Sequence, residues 1–175
     1  MTRAYHFVAE TLRDGRKIPA DGEWLEHDGK VVICESGLHA SKHPFDALHY
    51  APGETLCLVE CEDIVTEQND KFVCRRRKII ARFDATNLMR QFARNQAVDV
   101  LHLWDAPAVV VYYLLSGDET ARDAARDAAR DAAWAAARAA ARADAWDAAR
   151  AAAWDAAKKE FADMVDDAFA GMGVK

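Results

Sequence analysis

The sequence predicts an α+β protein: a small mixed β-sheet domain with short helices, followed by one long alanine-rich C-terminal helix. Three observations predict it. Short β-branched and aromatic runs separated by turn dipeptides fill the first half of the chain. The apolar spacing becomes helical after Asp84. From Ala121 the sequence falls into tetrads, ARDA three times, then AWAA, ARAA, ARAD, AWDA, ARAA, AWDA and AKKE. The expected divisions are an α+β recognition domain over 1–117, the repeat helix over 118–170 and a disordered tail over 171–175.

Residues 2–9 form the first expected strand, with His6 within it. Asp14-Gly15, Ile18-Pro19, Asp21-Gly22 and Asp28-Gly29 mark the next stretch as a hairpin or an irregular excursion, from which Trp24 and Leu25 pack back on the core. Lys30 to Cys34 reads as a second strand and Gly37 to Ala40 as a short extended piece. Pro44 to Ala51 reads as a helix, because Pro44 sits in the first turn, where its missing N–H costs nothing, and Pro52-Gly53 ends it. Thr55 to Cys61 and Lys71 to Phe83 are the third and fourth expected strands. Asp84 or Thr86 can cap a helix carrying Leu88, Met89 and Phe92. Ala108 to Leu115 is apolar all round and is expected to be a buried helix or strand.

The repeat holds 22 alanines among the 37 residues 121–157, and no Gly or Pro interrupts it before Gly171. Alanine is the strongest helix former, so a rod of about 50 residues at about 1.5 Å each is expected. Four residues turn an α-helix by about 400°, so the Arg and Trp row drifts about 40° per tetrad and makes no heptad seam. Asp three residues before Arg or Lys, as in Asp123 to Arg126, Asp127 to Arg130, Asp147 to Arg150 and Asp155 to Lys158, adds about 0.2–0.5 kcal/mol per pair. Trp134, Trp146 and Trp154 point in different directions around this rod, and Phe161 and Phe169 lie on its last amphipathic turns. The segment is therefore expected to join copies of the chain into a homo-oligomer, with packing on its own domain and docking of a host protein as alternatives.

The formal charge of −6, from 23 Lys and Arg against 29 Asp and Glu, argues against nucleic acid as a partner. No apolar run approaches the roughly 18 residues of a membrane span, and no signal segment follows Met1, so a cytoplasmic location is expected. Cys34, Cys57, Cys61 and Cys74 are then read as reduced, and their spacing does not favour a metal. In strand geometry Arg75 and Arg77 share one face and Arg76 and Lys78 the other. One pair is expected to meet solvent and the other a carboxylate or an anion. Arg75 and Arg77 are the candidate anion-binding residues.

The block Cys34-Glu35-Ser36-Gly37-Leu38-His39-Ala40-Ser41, the later Asp46-Ala47-Leu48-His49-Tyr50-Ala51-Pro52-Gly53, and the opening Ala4-Tyr5-His6-Phe7 resemble an uncharacterised family of bacteriophage and prophage proteins, whose members often end in such a tetrad helix. The resemblance implies a phage origin and supplies no activity and no catalytic residue. A non-enzymatic interaction protein is the reading that follows, one that antagonises a host defence system by binding a protein or sequestering a small ligand, with no cofactor. His6, His39, Ser41 and Tyr50 are its candidate pocket.

A strand with Tyr5-His6, then Gly37-Leu38-His39-Ala40-Ser41, then Ala47-Leu48-His49-Tyr50-Ala51, then a strand ending in Val59-Glu60, is similar to the order of elements in ADP-ribosyltransferase-like folds, which implies NAD as cofactor under that alternative. His6 matches the ribose-binding histidine there, and Tyr50 the tyrosine of the following helix. His39 stands where a stacking tyrosine is expected, and Glu60 and Glu62 are the candidates for the acid.

Overall fold

The computed structural model describes residues 1–137 and 146–174, and it shows the mixed α+β architecture. The chain divides into two compact units, residues 1–87 with 158–175, and residues 88–157.

The first unit is built on an antiparallel sheet. Strand β1 (Thr2–Val8) pairs with β4 (Thr55–Glu67), β4 with β5 (Phe72–Asp84), and both β2 (Trp24–Glu26) and β3 (Leu38–Ala40) with β5. Ser41 then exchanges two backbone hydrogen bonds with Tyr5, at 2.8 and 3.0 Å. The segment 38–41 thereby ties the β5 side of the sheet to the free edge of β1, and the sheet curls on itself. Helix α1 (Pro44–Leu48) follows, started by Pro44.

Directly opposed residues share a face, so the register places Thr2, Cys61, Arg77 and Leu25 in one row, and His6 and Cys57 in another on the same side. This inner face carries the core of Ala4, Val8, Leu38, Ala40, Cys57, Val59, Cys61, Phe72, Cys74 and Ile79. A bulge at Leu58/Val59 leaves Ile80 as the extra residue of β5 and keeps Arg77 on the inner face with Cys61. On the outer face Arg76 bonds Glu62 at 2.5 Å and Glu26 at 3.0 Å, Lys78 bonds Glu60 at 2.8 Å, and both cations lie within 5 Å of the Trp24 ring centre. The carboxylate-bound pair is thus Arg76 and Lys78.

The other part of the outer face is covered by the end of α5 (Trp146–Gly171). Phe161, Val165 and Phe169 are buried there. Phe161 packs edge-on to Phe45 and Phe169 edge-on to Phe83, with centroids 6.0 and 5.0 Å apart, and the Tyr5 hydroxyl donates to Asp166 at 2.9 Å. Lys158 extends its ammonium to both oxygens of Asp46, not to the expected Asp155. These contacts correct the reading of Phe161 and Phe169 as a partner or oligomer surface: the stripe is amphipathic because it covers this chain's own sheet. The expected boundary at residue 117 is corrected in the same way, since the last part of the repeat helix belongs to the first unit.

Residues 172–174 are not a free tail. Gly173, with φ of +77°, and Val174 donate to the Ala170 and Phe169 carbonyls and close the helix.

One further expectation fails in the first half. Lys30 to Cys34 is a turn, not a strand: Val32 and Ser36 bridge each other, and the Ser36 hydroxyl donates to the Lys30 carbonyl at 2.5 Å. Trp24–Glu26 and Leu38–Ala40 are the short strands that pair with this edge of β5.

The second unit contains most of α2 (Thr86–Asp99), then α3 (Ala108–Ser116), α4 (Arg122–Ala137) and the first part of α5. Helix α3 ends at Gly117, with φ of +66°, where an added Cβ would meet the Arg94 guanidinium at 2.8 Å. It is not buried all round, since Tyr112 and Leu115 are exposed and Val110 alone of its residues is buried. In α4 the pairs Asp123–Arg126 and Asp127–Arg130 form at 3.5 and 3.4 Å. Whether the repeat is one uninterrupted helix turns on residues 138–145, which lie outside the described residues, as do the side chains of Trp134 and Trp146. Among the described residues no helix is long and apolar enough to cross a membrane.

Candidate functional site

A cavity of about 720 Å³ opens in the first unit, and His6, His39, Ser41 and Tyr50 all lie in its wall. That volume falls within the roughly 300–1,000 Å³ of small-molecule sites. Strand β1 supplies His6, the segment 38–41 supplies His39 and Ser41, and Tyr50 follows α1 at the rim. Apolar walls come from Phe7, Val8, Leu12, Leu25 and Leu38.

Arg77 is the deepest charge of this wall, with only 6% of its surface exposed. Its guanidinium donates to the His39 carbonyl and stands near the thiols of Cys61, Cys74 and Cys57. Burial works against its charge. Among the described residues Arg77, Arg13 and Lys71 make no ion pair with a carboxylate, whereas Arg16 in the same wall is held by Asp14 at 2.7 Å.

His39 braces the wall. The Cys34 N–H donates to its Nε2 at 2.9 Å, and its ring also hydrogen-bonds the Gly37 backbone. That turn needs Gly37, whose φ is +107° and where a Cβ would lie 2.6 Å from Val73 Cγ2. Arg13 clamps the same turn by donating to the Cys34 carbonyl at 3.2 Å. His39 is held below its ordinary pKa by burial and then by the charges of Arg77, Lys71 and Arg13. His6 is held well below its ordinary value by burial, then by Arg77 and His39. Both imidazoles are therefore neutral near pH 7 and stand among cations.

At the rim the Tyr50 hydroxyl donates to Asp70 while the Lys71 ammonium sits 4.1 Å from its ring centre. The hydrogen bond to Asp70 raises the Tyr50 pKa, and the Cys34 thiol followed by Tyr50 raises that of Lys71. The rim thus carries a cation, Lys71, with the Asp70 carboxylate beside it.

The model of a family described as a domain of unknown function, DUF7666, matches residues 2–91. The chain belongs to this family. The DUF7666 match takes in all five strands, α1 and the start of α2, and every residue named above in the cavity wall. It stops before α3, α4 and α5, so the helix that covers the outer face lies beyond it. No curated protein and no solved structure matches the chain.

The four candidate pocket residues are thus brought together within the DUF7666 region. The two candidate anion-binding arginines are not: Arg77 lines the cavity, while Arg75 donates to the carbonyls of Gly29 and His27 at 3.0 and 3.4 Å. Glu60 and Glu62 lie on the opposite face from Arg77, bound to Lys78 and Arg76. Arg13 and Lys71 carry no signal of their own in the sequence: Arg13 is one of three cations in a turn-rich stretch with Arg16 and Lys17, and Lys71 stands at the start of an expected strand. Among the described residues no group of three His, Cys, Asp or Glu side chains is placed to hold a metal.

Proposed function

We propose that this protein is a ligand-binding module that holds a small molecule in the cavity of its first unit without transforming it. The carrying observation is that one cavity gathers His6, His39, Ser41 and Tyr50 around the buried Arg77, with apolar walls on either side. Binding is favoured over turnover by the state of the polar groups. His39 has its ring tied to the backbone of its own turn, so it is a brace more than a proton carrier. The NAD-using alternative needs an acid in the cavity, and its candidates Glu60 and Glu62 are occupied on the other face of the sheet.

In the phage setting that the sequence resemblance implies, such a module acts in the host cytoplasm by withdrawing a metabolite from a defence system. Copies of the chain associate through the alanine-rich segment, whose small side chains let a second helix approach closely; this part of the reading rests on the repeat itself. Light scattering on the intact chain tests it, and a monomeric mass overturns it.

The cavity reading is tested by denaturing the purified protein, identifying released small molecules by mass spectrometry and returning each to the protein in a thermal-shift titration with a panel of nucleotides that includes NAD. A saturable rise in Tm, lost in His6→Ala and Tyr50→Ala, is expected. No released molecule together with no shift at millimolar concentrations overturns the reading.

A further inference from the structure

We propose that the cavity takes a phosphorylated small molecule, its phosphate dianion held among Arg77, Arg13 and Lys71 and its apolar body against Leu12, Leu25 and Leu38. This rests on the ligand-cavity reading above and adds the chemical class.

The charge count of the wall carries the argument. In a chain of net charge −6, this wall places Arg13, Arg16, Lys71 and Arg77 against only Asp14 and Glu35. Arg16 is taken by Asp14. Three cations and one carboxylate, Glu35, remain in the wall, and Asp70 stands just outside it, bonded to Tyr50 and within reach of the Lys71 charge. The positive excess is therefore one to two charges, which suits a phosphate monoester carrying about −1.5 to −2 at neutral pH.

The three cations also converge on one short segment. Arg77 bonds the His39 carbonyl, Arg13 bonds the Cys34 carbonyl, Lys71 reaches the Cys34 side chain, and the Cys34 N–H bonds the His39 ring. His39 feels all three charges, which contribute to its lowered pKa after burial. Each cation keeps N–H donors beyond the bonds named here, since a guanidinium has five and an ammonium three. Guanidinium groups match the oxygens of a phosphate in pairs, and a lysine adds a point charge. The buried position of Arg77 strengthens the attraction, because the local dielectric is lower than that of water.

The remainder of the wall sets the rest of the ligand. Leu12, Leu25 and Leu38 offer no hydrogen-bonding groups on their side chains, so they suit a ring or a short hydrocarbon body. Inorganic phosphate would meet the cations and leave these walls bare.

Calorimetric titration of the intact chain distinguishes the possibilities, with phenyl phosphate, adenosine 5′-monophosphate and inorganic phosphate as phosphate probes, benzoate as the monoanion, and adenosine as the neutral control. At least one organic phosphate is expected to bind at least about tenfold more tightly than benzoate, adenosine and inorganic phosphate. Arg13→Ala and Lys71→Ala, on the cavity wall outside the strands, are expected to weaken that binding about tenfold each. Arg77→Gln is expected to abolish it, and Arg75→Ala to leave it unchanged. Because Arg77→Gln perturbs the core, the two wall variants decide if it does not fold. Equal binding of benzoate and the organic phosphates, or phosphate binding indifferent to Arg13→Ala and Lys71→Ala, overturns the dianion site and leaves the ligand cavity standing. Silence of all three phosphates while another molecule released from the purified protein binds does the same. Silence of every probe and every released molecule overturns both.

Discussion

Lys158 bonds both carboxylate oxygens of Asp46, at 2.8 and 2.7 Å, across a sequence separation of 112 residues. The Asp46 side chain is almost fully buried, at 8% exposure, and the Lys158 side chain, at 28%, lies nearer the surface. Truncating the lysine leaves a buried charge without its partner, which costs about 3–5 kcal/mol for a fully buried pair and less where one partner is partly wet. Lys158→Met is therefore expected to lower unfolding free energy by roughly 2 kcal/mol, and the double variant with Asp46→Asn to recover part of that loss. Urea unfolding of the four proteins measures the coupling.

Phe161 supplies a second, independent test of the same helix. It is fully buried and packs against Phe45. Phe161→Ala is expected to cost about 3–5 kcal/mol. A chain ending at Gly117 removes Phe161, Val165 and Phe169 together and is expected to lose cooperative thermal unfolding, followed by near-ultraviolet circular dichroism.

Acid should weaken the first unit through its neutral histidines. The folded pKa values of His6 and His39 lie below the ordinary 6.5, so the unfolded chain binds more protons than the folded one once pH falls below that value. Their contribution is complete above about pH 6.5 and is lost progressively as pH drops from there toward the folded values. His6 faces Arg77 and His39, and both oppose its protonation. Denaturant midpoints measured from pH 7.5 to 5 are expected to decline, and His6→Gln to flatten the decline. An unchanged slope in that variant would assign the loss elsewhere.

Gly37→Ala tests the cavity wall. The positive φ and the 2.6 Å approach to Val73 leave no room for a methyl group beside the 34–39 turn. A loss of about 1–3 kcal/mol is expected, with weaker binding of whatever ligand the wild-type protein takes. Gly15→Ala is the control for φ alone, since Gly15 also has a positive φ but meets nothing within 4 Å.

The sequence made β1, α1, β4 and β5 legible because each carries its own local signal: β-branched runs for the strands, and Pro44 for the helix. It misdirected at Val31-Val32-Ile33, where an apolar run suited to a strand is bent by the Val32–Ser36 bridge into a turn. Propensity there yielded to hydrogen bonds that only the folded chain assembles. Trp24–Glu26 became a strand because Arg76 and Lys78 offered Trp24 and Glu26 charged partners across the sheet. The alternation of Arg75 to Lys78 was legible, but which cations would meet carboxylates depended on β4, which places Glu60 and Glu62 opposite Lys78 and Arg76. The apolar stripe at Phe161, Val165 and Phe169 was equally visible. A stripe says that a helix covers something, and it does not say what.

The completion of the first unit by residues 158–175 has a consequence for biosynthesis. The strands and α1 leave the ribosome well before the segment that covers Phe45, Phe83 and Tyr5 has been made. At about 5–20 residues per second the intervening residues 88–157 take several seconds to translate. During that delay the part of the outer face that carries Tyr5 and Phe83 is an apolar surface without its cover.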